Sequence, residues 1–342
     1  MNIFPLRELP LRIKKKAVQY MYRNAPELYM PGTRLKVVTT MYKFFELRRK
    51  AKSSRMIIFM TEGTEFTGLA DRFRCIISAY AVARAHGLPF YIYHDKGFEL
   101  TRYLEPAEVD WRIARSDIRR GLNNVTLLWF IDKWPILKRT RKEYHWYWSM
   151  NLFELGVIPE EIRKTCSYSS LFWSLFKMSP HLETILAAAM NQLGMKENEY
   201  VAVHIRFLNF FEAVEERCDA TDGTASKDVQ LRMINRVNST LHLIHQECRK
   251  PIVLFSDSNK FLAAPHPEFV LQLPGHVGHV LCYEHQESVT DKAFVDLMVM
   301  SKAACVYSIT GQDIYGGGFS LAASFIGNKP FKKVPLAVDQ TA

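Results

Sequence analysis

The stretch "EYVAVHIRF", residues 199–207, decides how the chain is read. Val201, Val203 and Ile205 alternate with Ala202, His204 and Arg206, the period-two signature of a strand with one aliphatic face. The other face ends in an imidazole and a guanidinium. Arginine does not shed its charge, so at the mouth of a sheet Arg206 must meet a carboxylate, a phosphate or water.

The pattern around this strand is repetitive. Before it lies a helix, "SPHLETILAAAMNQLGM" (179–195), started by Ser179 or Pro180 and stopped near Gly194. After it come a long helix over 226–250, the strand "PIVLFSDS" (251–258), a strand "EFVLQL" (268–273), a helix "DKAFVDLMVMSKA" (291–303) and the strand "ACVYSIT" (304–310). The glycine-rich turn "GQDIYGGG" (311–318) and the helix "FSLAASFIG" (319–327) follow. Strands alternating with helices predict a doubly wound, largely parallel sheet. Earlier, "RMIIFMT" (55–61), the loop "EGTEFTG" (62–68), a helix closing on Gly87 and "LPFYIYHD" (88–95) form a β-loop-α-β unit. Its loop and helix N-terminus lie at the carboxyl end of the first strand, where open α/β sheets bind ligands. Between 96 and about 180 the pattern blurs into aromatic and charged residues, and no motif is assigned there.

At 342 residues the chain exceeds the usual single core, and 48% hydrophobic with 23% charged residues is ordinary globular composition. The expected organisation is a basic N-terminal extension (1–55), an N-terminal α/β domain (56–195) and a C-terminal domain (196–342). No run is long enough to span a membrane and the opening residues lack a signal-peptide pattern, so a cytoplasmic protein is expected. The six cysteines are scattered, and reduced thiols without disulfides are expected. In "HVGHVLCYEH", His276, His279, Cys282 and His285 recur every third residue. On a strand that spacing scatters the side chains over both faces, so an ordinary strand and loop is preferred to a zinc site. The sequon at Asn238 falls within a helix and is read as chance.

Residues 1–55 carry 14 Lys and Arg against 3 Glu, a net +11 within a chain of +10, so the remainder sums to −1. Aromatic and Met residues are interleaved with these cations. Two readings stand: a peripheral segment on an anionic membrane surface, where each basic residue is worth about 1 kcal/mol, or a solvated arm. Nucleic acid is not expected, because no binding motif accompanies the charge.

Four features fall at carboxyl ends of the later strands: His204 with Arg206; Ser256, Asp257 and Ser258; Ser308 to Thr310; and the Gly316-Gly317-Gly318 turn into a helix. Together they outline one crevice. Glycines leading into a helix N-terminus offer unpaired N–H groups and a positive dipole end, and Arg206 adds a two-pronged cation, which is diphosphate-binding chemistry. Asp296 is costly among Phe294, Val295, Leu297, Met298, Val299 and Met300 unless it is paired. Its alternatives are recognition of the two N–H donors on a guanine edge, or an Asp near the first turn stabilised by the helix dipole.

Taken in order, "TGLADRFRCIISAYAVARAHGLPFYI", "YVAVHIRF", "IVLFSDS" and "AFVDLMVMSKAACVYSITGQDIYGGGFSLAASFIGNKPF" resemble the motifs of the GDP-fucosyltransferase superfamily over about residues 56–95 and 196–331. The matched motifs are the G-L-G-N-R helix start, H-x-R, the S-D loop and the D…S…FS…A…G-x-K-P tail. The resemblance implies an α/β, GT-B-like fold of two Rossmann-type halves. It implies an inverting, metal-independent glycosyltransferase without cofactor, whose donor is GDP-fucose and whose acceptor is a glycan or lipid-linked glycan. Arg206 would stabilise the departing GDP, and His204, Asp257 and Asp296 would hold the nucleotide. Ser308, Thr310, Phe319 and Ser320 would line diphosphate and base, with Gly68 and Arg72 in the N-terminal loop. The chain departs from the family at "HIRFLN", where Phe207, Leu208 and Asn209 replace Arg, Gly and Asp, and at Ala70 and Asp71. Glu212 and Glu215, just past the H-x-R motif, are the candidates for catalytic base. The competing functions are transfer from another nucleotide sugar and non-catalytic binding of a nucleotide sugar or an anionic surface.

Overall fold

The computed structural model describes residues 37–43, 45–46, 55–62, 68–137, 143–212, 224–278 and 286–338. The N-terminal half contains β1 (Ile57–Met60), α1 (Leu69–Ala85), β2 (Phe90–Tyr93), β3 (Leu104–Pro106), β4 (Val125–Ile131) and β5 (Glu143–Ser149). The middle of the chain supplies α2 (Glu160–Thr165), α3 (Tyr168–Leu175), β6 (Phe176–Met178) and α4 (Pro180–Leu193). The C-terminal half contains β7 (Val201–Ile205), α5 (Lys227–Cys248), β8 (Ile252–Ser256), α6 (Asn259–Leu262), β9 (Val270–Leu271), α7 (Glu287–Lys302), β10 (Val306–Thr310), α8 (Gly318–Gly327) and β11 (Phe331–Pro335).

Two parallel sheets result, ordered β2-β1-β5-β4 and β11-β10-β7-β8-β9, with an antiparallel β3-β6 ribbon beside them. β7 is central in the second sheet and wholly buried. Its two faces serve different layers. Val201, Val203 and Ile205 pack with Met233, Val237, Leu241 and Ile244 of α5. Ala202 points to the other core, shared with α7 and α8. The period-two pattern thus becomes a sheet covered on both sides.

Helix ends follow their sequence signals. Ser179 caps α4 by accepting from Leu182 N at 3.1 Å, and Gly194 stops it in the left-handed conformation at φ 64°. α7 starts at Glu287, four residues before the expected start, so Asp296 stands in its third turn. That removes the first-turn dipole explanation for Asp296. β9 is shorter than expected, only Val270–Leu271 at the sheet edge.

The stretch that resisted reading supplies two strands of the first sheet and the contacts between the halves. β5, "EYHWYWS", lies between β1 and β4 with Trp146 and Tyr147 buried. Phe73 of α1 meets Phe172 and Phe176 edge-on at 5.3 and 5.9 Å and Phe294 of α7 at 6.3 Å. Tyr103 stacks flat on Phe294 at 4.1 Å, and its hydroxyl donates to Asp291 at 2.8 Å. One hydrophobic core therefore continues from the first sheet's helices into the second. At its close, Gly327 lets α8 lie against α7: a Cβ there would fall 1.9 Å from Ser301 O.

No disulfide forms among the described residues; Cys75, Cys166, Cys248 and Cys305 are free thiols. No helix among the described residues is long and apolar enough to cross a membrane. Glu215, His279, Cys282, His285 and most of the basic 1–55 segment lie outside the described residues.

Candidate active site between two helix N-termini

β7, β8 and β10 end on the same edge of the sheet, and the chain delivers polar residues there. His204 and Ser308 are register partners on adjacent strands. Arg206 follows the end of β7, Asp257 the end of β8, and Thr310 closes β10. The turn after β10 returns over this edge, fixed by Tyr315 N donating to Arg206 O at 2.8 Å. It then enters α8, whose N-terminus lies directly on the H-x-R pair. A Cβ at Gly317 would lie 3.2 Å from His204 Cε1 and 3.4 Å from Arg206 Cδ, so only glycine permits this approach without displacement. Phe319 adds a ring 5.9 Å from the His204 ring.

Among the described residues, two buried polar atoms here have no hydrogen-bond partner: His204 Nδ1 and Ser320 Oγ. Buried polar groups are ordinarily satisfied, so these two are atoms of the crevice with hydrogen-bonding capacity to offer a ligand. Burial, reinforced by the Arg206 guanidinium, pushes the His204 imidazole down to about 3, and it is neutral at physiological pH.

Asp257 organises the crevice from beneath. Its carboxylate accepts from Phe207 N at 2.8 Å and Leu208 N at 3.0 Å, and Arg206 Nε lies 3.9 Å from Oδ2. Burial raises its pKa, opposed by those two amides and the guanidinium. Leu208 has φ +53°, so Asp257 holds a strained backbone that orients Arg206.

Facing α8 is the N-terminus of α1. Gly68 precedes the helix, and Asp71 Oδ1 lies 3.9 Å from where a Gly318 Cβ would stand. The two halves thus bring two helix N-termini to one crevice. Asp71 also pairs with Arg74 at 3.1 Å. Arg72 is turned into its own half: it pairs with His94, donates to Lys96 O at 2.6 Å and covers the Phe98 ring at 5.1 Å.

Asp296 is buried beside a residue the sequence reading did not pick out, Lys292, one turn earlier, which donates to its Oδ1. Burial raises the Asp296 pKa and Lys292 opposes the rise. Oδ2 accepts no hydrogen bond from the described residues. Glu212 is engaged elsewhere: its Oε1 accepts from Ser258 Oγ at 3.0 Å and Lys260 N at 3.1 Å, which caps α6. No group of three metal-ligating side chains occurs among the described residues.

Sequence reasoning missed the reciprocal packing of Gly317 on His204 and Arg206, and the facing of Asp71 and Gly318. The triple glycine pointed to the first, and nothing local pointed to the second.

No protein-family model matches the chain, and no curated protein does. Among solved structures it is similar to NodZ alpha-1,6-fucosyltransferase from Bradyrhizobium, soaked with GDP-fucose. That match has 12% identity and a TM-score of 0.50 over 80% of this chain and 93% of the other. It is also similar to an Arabidopsis thaliana FUT1 mutant in complex with GDP, at 8% identity and a TM-score of 0.50 over 94% of this chain and 77% of the other. At such identities the likeness establishes the fold. It agrees with the mostly parallel α/β, GT-B-like class expected from the sequence.

Proposed function

We propose that the protein is an inverting glycosyltransferase that moves fucose from GDP-fucose to a glycan or lipid-linked glycan, without a metal. The observation that carries this reading is the pair of unpartnered buried atoms, His204 Nδ1 and Ser320 Oγ, at a helix N-terminus beside Arg206. A diphosphate supplies the acceptor oxygens such a cradle lacks. The fold likeness to fucosyltransferase structures solved with GDP-fucose or GDP supports the choice of nucleotide. In this reading Asp296 Oδ2 accepts from the guanine edge while Lys292 keeps the charge compensated, and Ser308, Thr310 and Phe319 line the nucleotide.

The bond between the sugar's anomeric carbon and the β-phosphate oxygen breaks, and its electron pair leaves with GDP. Arg206 and the α8 amides offset that growing charge, the task a divalent ion performs in other sites. The acceptor oxygen bonds to the anomeric carbon from the opposite face as its proton departs. We assign that proton to Asp71, which faces the cradle across the crevice, in place of Glu212, whose Oε1 serves as the cap of α6. The same reading keeps Gly68 at the crevice and makes Arg72 a brace for α1. The basic 1–55 segment is proposed to hold the enzyme on an anionic membrane surface.

The test is release of GDP from GDP-fucose in the presence of EDTA, with and without acceptor. Turnover supports the enzyme, and binding of GDP without any turnover supports a non-catalytic nucleotide-sugar binder instead. Activity with a UDP-sugar alone defeats the donor assignment.

A further inference from the structure

On the N-terminal half, at the carboxyl end of β4, Phe130 has φ +56°. For a bulky aromatic residue this is an outlier, since its Cβ meets its own backbone there. It sits where the register between β4 and β5 shifts, Trp129 pairing with Trp148 and Ile131 with Ser149. This bulge turns Phe130 out of the strand: the residue is 38% exposed, and its ring lies on the Trp148 ring at 4.6 Å and 20°. Arg74 covers the Trp148 ring at 5.3 Å and pairs with Asp71, the residue facing the α8 N-terminus. A series of neighbouring side chains thus runs from an outward aromatic shelf to Asp71, which faces the proposed donor cradle.

Strain of this kind is retained where it performs a task, and glycine would hold the same bulge at lower cost. We infer that Phe130 and Trp148 form a binding shelf for the saccharide acceptor, with Arg74 and Asp71 as its polar flank. A pyranose ring has an apolar C–H face that stacks on aromatic rings and hydroxyls at its rim that bond to a carboxylate and a guanidinium. A lipid chain offers no acceptor to Arg74 Nε, a buried donor without a hydrogen-bond partner among the described residues. The inference rests on the glycosyltransferase reading and names the chemistry of its second substrate.

The experiment is saturation-transfer NMR on the full chain with GDP present, using cellotetraose, maltotetraose and chitotetraose as probes. Thermal melts and GDP titrations are run on the same samples. Wild type is expected to bind at least one tetrasaccharide. Phe130→Gly and Phe130→Leu are each expected to weaken that binding at least tenfold. Phe130→Gly should do so with an unchanged or higher Tm and GDP affinity within twofold of wild type. Absence of any tetrasaccharide signal from wild type overturns the shelf, as does full binding by either variant. Phe130-dependent binding of phosphatidylcholine vesicles in place of the sugars overturns it too. Failure of wild type to bind GDP counts against the donor reading alone, because the saccharide signal is read separately.

Discussion

Adding one methyl group at Gly317 should weaken nucleotide binding while leaving the fold in place. Gly317 has φ −82° and ψ 141°, which alanine adopts without strain, so any effect comes from the space the methyl enters. That space is occupied. The new Cβ would stand 3.2 Å from His204 Cε1 and 3.4 Å from Arg206 Cδ, whereas carbon atoms prefer about 3.5–4.0 Å. His204 is buried, so its ring has little room to yield. Arg206 is about a third exposed on its side chain, so the guanidinium arm and the α8 N-terminus separate instead. Overpacking of this size costs about 1–3 kcal/mol. Because the displaced groups are those assigned to the diphosphate, a large part of that cost should appear as a GDP affinity roughly tenfold lower, about 1.4 kcal/mol. Titration calorimetry with GDP measures this directly. Gly316→Ala is the control, since a Cβ there meets nothing within 4 Å, and it should bind GDP like wild type. Gly327→Ala is the opposite control: its Cβ would strike Ser301 O, so it should lower Tm sharply. Equal GDP affinity for wild type and Gly317→Ala would refute the cradle geometry.

Lys292→Met should destabilise the protein by about 3–5 kcal/mol by stranding the Asp296 charge, and the double change with Asp296→Leu should recover most of the loss in a denaturant melt. If Lys292→Met matches wild type, the pair is not a buried ion pair. Asp257→Ala should leave Phe207 N and Leu208 N without acceptors, costing about 1–3 kcal/mol in stability, and should lower donor turnover further than Tm alone explains. His204 has its pKa pushed down to about 3 from an ordinary 6.5. Stability from this group is therefore present above pH 6.5 and is lost as the pH falls toward 3, by up to about 5 kcal/mol in all. An identical acid-unfolding profile for His204→Gln would exclude His204 as the cause. Removal of residues 1–36, which spares the Tyr42 that pairs with His145, should abolish co-sedimentation with anionic vesicles while GDP affinity stays unchanged; undiminished sedimentation would assign membrane attachment elsewhere.

The second half was legible because its information is local. β7, β8 and β10 carry runs of aliphatic residues with a period of two, and α4 carries both a serine cap and a stopping glycine. The first half hides its sheet. β5 places Glu143 and His145 in the interior, and both are satisfied by distant partners. Glu143 takes Arg119, and His145 Nδ1 pairs with Tyr42, 103 residues away. A strand made tolerable by such contacts has no pattern of its own. The candidate site divides the same way. His204, Arg206, Asp257 and the triple glycine stood at readable strand ends, and they converge as expected. Lys292 hid in an apolar helix as one more surface lysine, and the cap made by Glu212 depends on α6 folding beneath it. Asp71 gained meaning only when the two halves closed on one crevice.

Arg206 and its cradle are proposed to hold a guanosine diphosphate without metal. Calorimetric titration of GDP into wild type and Arg206→Ala, both in EDTA, tests that most directly. Charge-assisted contacts of this kind are worth about 2 kcal/mol, so wild type should bind GDP and Arg206→Ala should bind about 30-fold more weakly. Absence of binding by wild type, or equal affinity in the two proteins, would contradict the assignment.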